Sequence, residues 1–323
     1  MTSSEILQLV NNHLRTVGKD HEPATLYEPI QYVLTLGGKR IRPMLMMLTY
    51  HLYREHPERI IAAASALETY HNFTLLHDDL MDNADMRRGQ PTVHKRWNAN
   101  TAILSGDAMI IMAYKGMCEC DPSKQKEVLD LFNQTSLEIM IGQQYDMDFE
   151  QRMDVKEEEY IEMIRLKTSV LLACAMKMGA VLADAPQADQ ERLYQCGERL
   201  GLAFQLQDDY LDVYGDPKVF GKNIGGDILS NKKTYMLINA FNLANGRQRD
   251  ELLRWVEAAD FDAQEKIQAV TRLYDEIGVG EMAQKRIRAY FHECRQCLDA
   301  VQLPDERKEP LIEYINGMME REY

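Results

Sequence analysis

Apolar residues recur three and four positions apart along almost the whole chain. Two examples are the runs Leu193, Gly197, Leu200, Phe204 and Leu129, Phe132, Ser136, Met140. The alternation of apolar and polar residues that is typical of strands is hard to find. Most prolines fall between the helical runs, where they would separate helices: Pro23, Pro57, Pro91, Pro122, Pro186, Pro217 and Pro304. The pattern predicts an all-α protein.

Two of the predicted helices carry the acidic pattern Asp-Asp-x-x-Asp. The copies are Asp78-Asp79-Leu80-Met81-Asp82 and Asp208-Asp209-Tyr210-Leu211-Asp212. The first and last Asp of each copy lie one helical turn apart and share a face. Like charges at this spacing destabilise an isolated helix by roughly 0.2–0.5 kcal/mol per pair. Mg²⁺ would reverse that effect, because it binds one or two carboxylates together with water and substrate phosphates.

Each acidic face continues backward along its helix. The residues that share a face are His71, Leu75, Asp78 and Asp82 on the first helix, and Gly201, Gln205, Asp208 and Asp212 on the second. One such motif is often only a solvated acidic surface. Two motifs of equal spacing in largely apolar helices favour a functional site instead, and we expect them on facing halves of one bundle core.

Basic segments accompany the acidic ones. A helix start carries Gly37-Gly38-Lys39-Arg40-Ile41-Arg42-Pro43, the first motif is followed by Arg87-Arg88-Gly89, and the second is followed by Lys222 and Lys232-Lys233. Any one of these could be an ordinary surface turn. Together with the acidic helices they predict diphosphate binding, because backbone N–H groups and cations at a helix start favour phosphate.

Composition narrows the range of partners. The formal net charge is −14, whereas binding to nucleic acid rests on an excess of Lys and Arg, so we expect no nucleic-acid partner. No apolar run reaches the roughly 20 residues of a membrane span, and the first ten residues do not resemble a signal peptide. Six cysteines in 323 residues do not predict a disulfide framework. These features predict a cytoplasmic protein with no integral membrane segment.

The order and spacing of these motifs resemble the trans-isoprenyl diphosphate synthases, or polyprenyl synthetases. The resemblance covers about residues 37–233 and rests on GGKRIRP, HDDLMD followed by RRG, the Lys167-Thr168 pair, FQLQDDYLD and GKNIGGDILSNKK. It implies a single domain over residues 1–323, a large helical bundle of the isoprenoid synthase type with a central cleft, and a homodimer. It also implies head-to-tail condensation of isopentenyl diphosphate with an allylic diphosphate such as dimethylallyl, geranyl or farnesyl diphosphate.

The same resemblance assigns roles to the motif residues. It implies three Mg²⁺ ions per site, with the metal ligands Asp78, Asp82, Asp208 and Asp212. The implied ligands of isopentenyl diphosphate are Gly38, Lys39, Arg42, His71 and Arg88. Those implied for the allylic substrate and the departing pyrophosphate are Arg87, Lys167, Thr168, Gln205, Lys222 and Lys232. Asp78, Asp82, Arg87, Lys167, Gln205, Asp208 and Lys222 form the implied catalytic set.

Product length is the finest expectation. In this family a bulky residue five positions before the first Asp of the motif shortens the product, and here that residue is Phe73. The resemblance therefore implies a C15 to C20 product, with C20 favoured. Ideal helix geometry places Thr74 more directly below Asp78, so Thr74 is the alternative chain-length residue.

Other functions use some of the same features. A class I terpene cyclase also needs acidic motifs and Mg²⁺, but it has no use for a second diphosphate site. A non-catalytic subunit of a heteromeric synthase would be expected to lose motifs that are intact here. A helical metal-binding scaffold without chemistry would not explain the lysines and arginines.

Overall fold

The fold is described by a computed structural model that covers residues 1–216 and 224–319. The helices are α1 Ser3–Leu14, α2 Ala24–Thr35, α3 Ile41–Tyr53, α4 Ile61–Met81, α5 Val93–Arg96, α6 Ala99–Met117, α7 Gln125–Glu150, α8 Glu157–Ile164, α9 Val170–Leu182, α10 Gln187–Tyr214, α11 Gly226–Leu229, α12 Tyr235–Leu243, α13 Gly246–Glu257, α14 Ala263–Ile277, α15 Val279–Asp299 and α16 Asp305–Met319. A 3₁₀ turn spans Pro57–Ile60 and a π-helical turn spans Arg165–Ser169.

The described residues confirm the all-α prediction. Their strands are β1 Met86–Arg87 and β2 Gln90–Pro91, which pair antiparallel. Pro23 caps the start of α2, and Pro57 opens the 3₁₀ turn, as the sequence predicted. Pro29 and Pro310 instead lie inside α2 and α16. None of the helices in the described ranges is long and apolar enough to cross a membrane.

The chain forms two compact units. Unit 1 consists of Met1–Gln134, Cys174–Leu193 and Gln302–Ile312, and unit 2 of Thr135–Ala173, Tyr194–Val301 and Glu313–Tyr323. The first acidic motif and the Gly37–Pro43 segment belong to unit 1. The second acidic motif and the Lys167-Thr168 pair belong to unit 2.

Unit 1 is built around α3 and α4. Most residues of both helices are buried on every side, which is typical of helices in a core. The packing of α4 against α6 is close, because a Cβ added to Gly106 would lie 2.2 Å from His77 Nε2. About three helical turns away, a Cβ on Gly116 would lie 2.8 Å from Ala66 Cβ. These glycines let the two helices pack closely, which holds α4 in place against α6.

Unit 2 has its own apolar core, which receives side chains from α8, α10, α12, α14 and α15. Its buried members include Tyr160, Met163, Leu206, Met236, Leu273, Tyr274 and Ile287. Glycine again permits close packing, since a Cβ on Gly201 of α10 would lie 2.5 Å from Ser169 Cα. The second acidic motif is therefore held by a helix that is packed along its length.

Helices α6 and α7 each carry a row of large apolar side chains that no other part of the described chain covers. Leu104 and Ile111 of α6, in unit 1, are 61% and 62% exposed and lie two turns apart. In the unit 2 part of α7, Leu137, Met140 and Ile141 are 59%, 48% and 48% exposed. Each set forms one helix face at the spacing of a packed surface.

Candidate active site

Helix α4 ends in the first acidic motif. Asp78 is half-buried in its last turn, and Asp82 is exposed at its end. Asp79 lies on the buried side and is only 5% exposed. Arg87 Nε donates to both carboxylate oxygens of Asp79, at 2.8 and 2.7 Å. The terminal nitrogens of Arg87 have no hydrogen-bonding partner among the described residues, so they can serve a ligand.

The turn between β1 and β2 brings Arg88 onto the Gly37-Gly38 backbone. Arg88 Nη1 donates a hydrogen bond to the carbonyl oxygen of Gly37. Gly38 has φ 128°, and a Cβ added there would lie 2.9 Å from the guanidinium carbon of Arg88. Only glycine combines this backbone conformation with so close an approach. The glycine pair thus places the Arg88 cation against the loop that precedes α3.

The three cations of the Gly37–Pro43 segment lie in different surroundings. Lys39 is exposed, and Arg42 is half-buried in the first turn of α3. Arg42 Nε is buried and has no hydrogen-bonding partner in the described ranges. Arg40 lies inside the unit, where its Nη1 is 3.0 Å from Glu68 Oε1. Lys39 and Arg42 are therefore the cations of this segment that can contact a ligand.

Positive charge accumulates around His71. Burial and the guanidinium groups of Arg42, Arg88, Arg87 and Arg40 hold the pKa of His71 well below its ordinary value, so its ring is neutral at pH 7. Burial lowers the pKa of Arg42 to about 10 and also lowers the pKa of Arg88. A bound anion would offset both the burial and the mutual repulsion, so this cluster is suited to a diphosphate.

Helix α10 ends in the second acidic motif. Asp208 and Asp212 are both half-buried on this helix. Asp212 Oδ2 accepts a hydrogen bond of 2.9 Å from the backbone N–H of Asp227, and its carbonyl oxygen accepts one of 2.6 Å from Gly225 N–H. Asp212 therefore fixes the start of α11 with one carboxylate oxygen.

A chain of side-chain hydrogen bonds runs beside this motif. Thr168 Oγ1 donates to Gln205 Oε1 at 3.1 Å, and Gln205 Nε2 donates to Asp209 Oδ1 at 3.1 Å. The Tyr160 hydroxyl donates to the other oxygen of Asp209. Thr168 belongs to the π-helical turn Arg165–Ser169, a distortion that is frequent at functional sites. The chain fixes the direction of the Gln205 amide.

Burial governs the ionisation of this chain. It raises the pKa of Asp209 to about 7, with a further contribution from the nearby Asp227 carboxylate, while the bonds from Tyr160 and Gln205 act in the opposite direction. Burial, with the Asp209 charge adding to it, raises the pKa of Tyr160 well above its ordinary value. The phenol therefore remains a hydrogen-bond donor at neutral pH.

Two of the predicted lysines that follow the first acidic motif in the chain, Lys167 and Lys232, lie among the described residues of unit 2. Lys167 Nζ is 2.6 Å from Asp146 Oδ2, an ion pair between the π-helical turn and α7. Helix α7 packs closely against the π-helical turn at this point, because a Cβ on Gly142 would lie 2.4 Å from Lys167 N. Lys232 is exposed in the loop after α11. Lys222 lies outside the described residues.

Phe73 and Thr74 have different environments. Phe73 is 6% exposed, and its ring centroid lies 5.4 Å from that of Tyr70 and 4.8 Å from that of His77. Thr74 is half-buried, and its Oγ1 donates to the carbonyl oxygen of His71 at 2.8 Å. Phe73 thus belongs to the aromatic core below the first motif, whereas Thr74 lies on the side of α4 that carries His71.

The acidic pairs fit Mg²⁺ that binds together with a ligand. Within the described part of the chain, no three His, Cys, Asp or Glu side chains are close enough to form a metal site by themselves. Mg²⁺ characteristically takes one or two protein carboxylates and completes its octahedron with water and phosphate oxygens. Asp78 with Asp82, and Asp208 with Asp212, supply donor sets of that kind.

Comparison with known proteins identifies the family. Residues 23–274 match the model of the polyprenyl synthetase family. The chain belongs to the polyprenyl synthetases. It is 42% identical to a short chain isoprenyl diphosphate synthase of Methanocaldococcus jannaschii, over 77% of this chain and 75% of the relative. It is 36% identical to a geranylgeranyl diphosphate synthase of Methanosarcina mazei, over 93% and 91% of the two chains.

A solved polyprenyl synthetase structure extends the likeness to the fold. A crystal structure described as a geranylgeranyl pyrophosphate synthase matches with a TM-score of 0.95 at 41% identity, and the match covers 100% of both chains. The predicted helical fold of the isoprenoid synthase type is confirmed by this match.

Several polar residues at these sites were not singled out from the sequence of this polyprenyl synthetase. Glu68 and Tyr160, which are buried, and Asp146, which is half-buried, are single polar residues within helices, and nothing in their local spacing marks them. Asp79 and Asp209 carried a usable signal, because the middle Asp of each motif lies about 100° around the helix from the first. That offset predicts a different partner from those of the outer carboxylates.

Proposed function

We propose that this chain is a Mg²⁺-dependent prenyltransferase that joins isopentenyl diphosphate head to tail with an allylic diphosphate and releases pyrophosphate. The observation that carries the proposal is the arrangement in unit 1. Arg42 and Arg88 surround a neutral His71, and the same helix ends in the carboxylates of Asp78 and Asp82. Unit 1 thus carries a basic cluster that suits one diphosphate and an acidic pair that suits Mg²⁺ bound to another, as a reaction between two diphosphates requires. The names of the relatives support the same activity.

Isopentenyl diphosphate is assigned to the basic side of unit 1. Lys39, Arg42 and Arg88 supply the positive charge, and the neutral ring of His71 supplies an N–H donor. The missing side chain at Gly38 leaves room for the Arg88 guanidinium beside the main chain, where that cation can bind phosphate oxygens. Charge-assisted hydrogen bonds of this kind hold the substrate and orient its double bond, which is catalysis by positioning.

The allylic diphosphate is assigned to the acidic motifs and the remaining cations. Three Mg²⁺ ions, held by Asp78, Asp82, Asp208 and Asp212, would neutralise the charge that develops on the departing diphosphate. Arg87 offers its terminal nitrogens from a side chain that Asp79 fixes. The other residues assigned to this substrate are Lys167, Thr168, Gln205, Lys222 and Lys232.

The reaction breaks the carbon–oxygen bond of the allylic substrate and leaves a delocalised carbocation. The double bond of isopentenyl diphosphate attacks that cation, and loss of a proton restores a double bond in the product. We assign the proton to the released pyrophosphate. The Gln205 amide, fixed by Thr168 and Asp209, presents a dipole without a full charge, and so does not repel a cation.

Product length and assembly are part of the proposal. Phe73, buried below the first motif, supports a C15 to C20 product, with C20 favoured. The exposed apolar faces of α6 and α7 support a homodimer, because monomers rarely expose contiguous apolar surface. The cysteine content and acidic composition of the sequence support a cytoplasmic location.

The decisive experiment measures pyrophosphate release and product mass together. Purified protein is supplied with Mg²⁺, isopentenyl diphosphate and each allylic primer in turn, from dimethylallyl to farnesyl diphosphate. We expect release that requires both substrates and disappears in EDTA. Release from farnesyl diphosphate alone would identify a cyclase, and no release from any pair would identify a non-catalytic protein.

A further inference from the structure

Arg40 makes three side-chain bonds inside unit 1. Its Nε donates to Asn11 Oδ1 of α1 at 3.1 Å, its Nη1 to Glu68 Oε1 of α4 at 3.0 Å, and its Nη2 to the carbonyl oxygen of Leu34 of α2 at 2.6 Å. The side chain is 1% exposed. Asn72 also donates to Glu68 Oε1, at 3.2 Å. One guanidinium therefore ties together three helices that surround the loop before α3.

The backbone at Arg40 needs such support. Arg40 has φ 51° and ψ 36°, a left-handed conformation that costs a non-glycine residue about 1–2 kcal/mol. Gly37 and Gly38 also have positive φ, so the chain turns sharply just before α3. The carbonyl oxygen of Arg40 accepts the first bond of that helix, from Met44 N–H at 3.0 Å. A turn of this kind persists only where its surroundings hold it.

The residues on either side of this turn are the ones assigned to a diphosphate. Lys39 precedes Arg40 and is exposed, whereas Arg42 lies in the first turn of α3. Arg88 contacts the backbone of Gly37 and Gly38. A shift of the turn would move all of these groups together, and charge-assisted hydrogen bonds depend on their geometry.

We propose that Arg40, anchored by Asn11 and Glu68, is a positioning residue that sets the isopentenyl diphosphate site without contacting the substrate. This proposal rests on the proposed function. It gives a role to α1, which precedes the matched residues 23–274 of the family. It also gives a role to the fully buried cation that lies between the exposed Lys39 and the half-buried Arg42.

The test compares neighbouring asparagines of α1. Asn11→Ala removes the acceptor of Arg40 Nε. Asn12→Ala is the matched control, because Asn12 Oδ1 accepts from Arg15 Nη1 at 3.1 Å on the same helix. Asn11→Asp keeps an acceptor oxygen, and Arg40→Lys keeps the charge but cannot reach three acceptors. Steady-state kinetics with each substrate varied separately, and thermal unfolding, are measured for all four variants.

We expect Asn11→Ala to raise KM for isopentenyl diphosphate at least about threefold, since a bond to a charged group is lost. Arg40→Lys should raise it further. In both, kcat at saturation and KM for the allylic substrate should stay near wild type, as should every parameter of Asn11→Asp and Asn12→Ala. Equal KM values for Asn11→Ala and Asn12→Ala, or a fall in melting temperature without a KM change, would overturn the positioning role. A wild-type enzyme without turnover would instead overturn the proposed function.

Discussion

The two acidic motifs share a spacing but hold their middle aspartates in different ways. In unit 1, Asp79 accepts two hydrogen bonds from the guanidinium of Arg87. In unit 2, Asp209 accepts from the phenol of Tyr160 and the amide of Gln205. A guanidinium brings a full positive charge, whereas a phenol and an amide bring only dipoles. Burial accordingly raises the pKa of Asp209 to about 7.

The difference indicates a division of labour within each motif. The outer aspartates are half-buried or exposed and can reach a metal ion, while the middle ones are each 5% exposed and orient a neighbour. Asp79 orients the Arg87 cation, which in the proposed reaction would stabilise the departing diphosphate. Asp209 orients the neutral Gln205, which in the proposed reaction would suit the carbocation, because a fixed positive charge there would raise the barrier.

The largest loss of activity should follow substitution of the outer aspartates, which the two motifs have in common. We predict that Asp78→Ala and Asp208→Ala each lower kcat by about a thousandfold or more, because each removes a carboxylate that the proposal assigns to Mg²⁺. Loss of like-charge repulsion on the helix face leaves the fold intact. Product assays give the rate, and circular dichroism gives the helix content. Near wild-type turnover in either variant would remove that residue from the metal site.

The next largest effect should be on KM, and it should differ between the two substrates. Arg42→Ala should raise KM for isopentenyl diphosphate, and Lys222→Ala, in the part of the chain outside the described residues, should raise KM for the allylic substrate. Loss of a charge-assisted hydrogen bond costs roughly 1.5–3 kcal/mol, or about ten- to a hundredfold. Initial rates with one substrate varied at a time test both. A shift of the same KM in both variants would contradict the assignment to separate diphosphates.

A smaller effect tests the middle aspartates directly. Asp79→Asn should lower kcat by about tenfold and reduce the free energy of unfolding by about 1–2 kcal/mol, because Arg87 loses its charged partner at a partly exposed site. Asp209→Asn should stay within about threefold of wild-type kcat, since the amide keeps an acceptor oxygen and a buried charge is removed. Kinetics and urea unfolding measure both. Equal losses in the two variants would abolish the distinction drawn between the motifs.

The sequence predicted those features of the molecule that depend on the helical repeat of 3.6 residues. The all-α fold and the shared face of His71, Asp78 and Asp82 depend on spacing alone, and in the structure His71 and Asp78 are half-buried and Asp82 is exposed. The sequence could not predict that Arg40 is buried and Arg42 only half-buried, because the two arginines differ only in what lies near them in the fold. Glu68 decides that difference from 28 positions away.

The same limit applies to Asp209. Its helix offset predicts that it turns away from Asp208, but its partner Tyr160 lies 49 positions earlier in the chain. Pairings between distant helices depend on tertiary packing, which no local pattern encodes.

The smallest effect on rate, and the finest test of the aromatic core below the first motif, concerns Phe73. Its ring packs against Tyr70, which in turn packs against Phe132 at a centroid distance of 5.0 Å. Phe73→Ala should open space below α4 and shift the product upward by one or more five-carbon units, because a growing chain gains ~0.8 kcal/mol per buried methylene. Turnover itself should change little. Mass spectrometry with farnesyl diphosphate as primer reads the products.

Thr74→Phe is the variant to compare with Phe73→Ala, because it should change product length in the opposite direction. Thr74 lies on the His71 side of α4 and is half-buried, so a bulky ring there should shorten the product if the tail passes that side. Wild-type enzyme should give C15 or C20 products. An unchanged distribution in Phe73→Ala, combined with shortening in Thr74→Phe, would move the limit on tail length from the aromatic core to the face that carries His71. A wild-type product of C30 or longer would overturn the short-chain assignment, because neither side chain would then limit the tail.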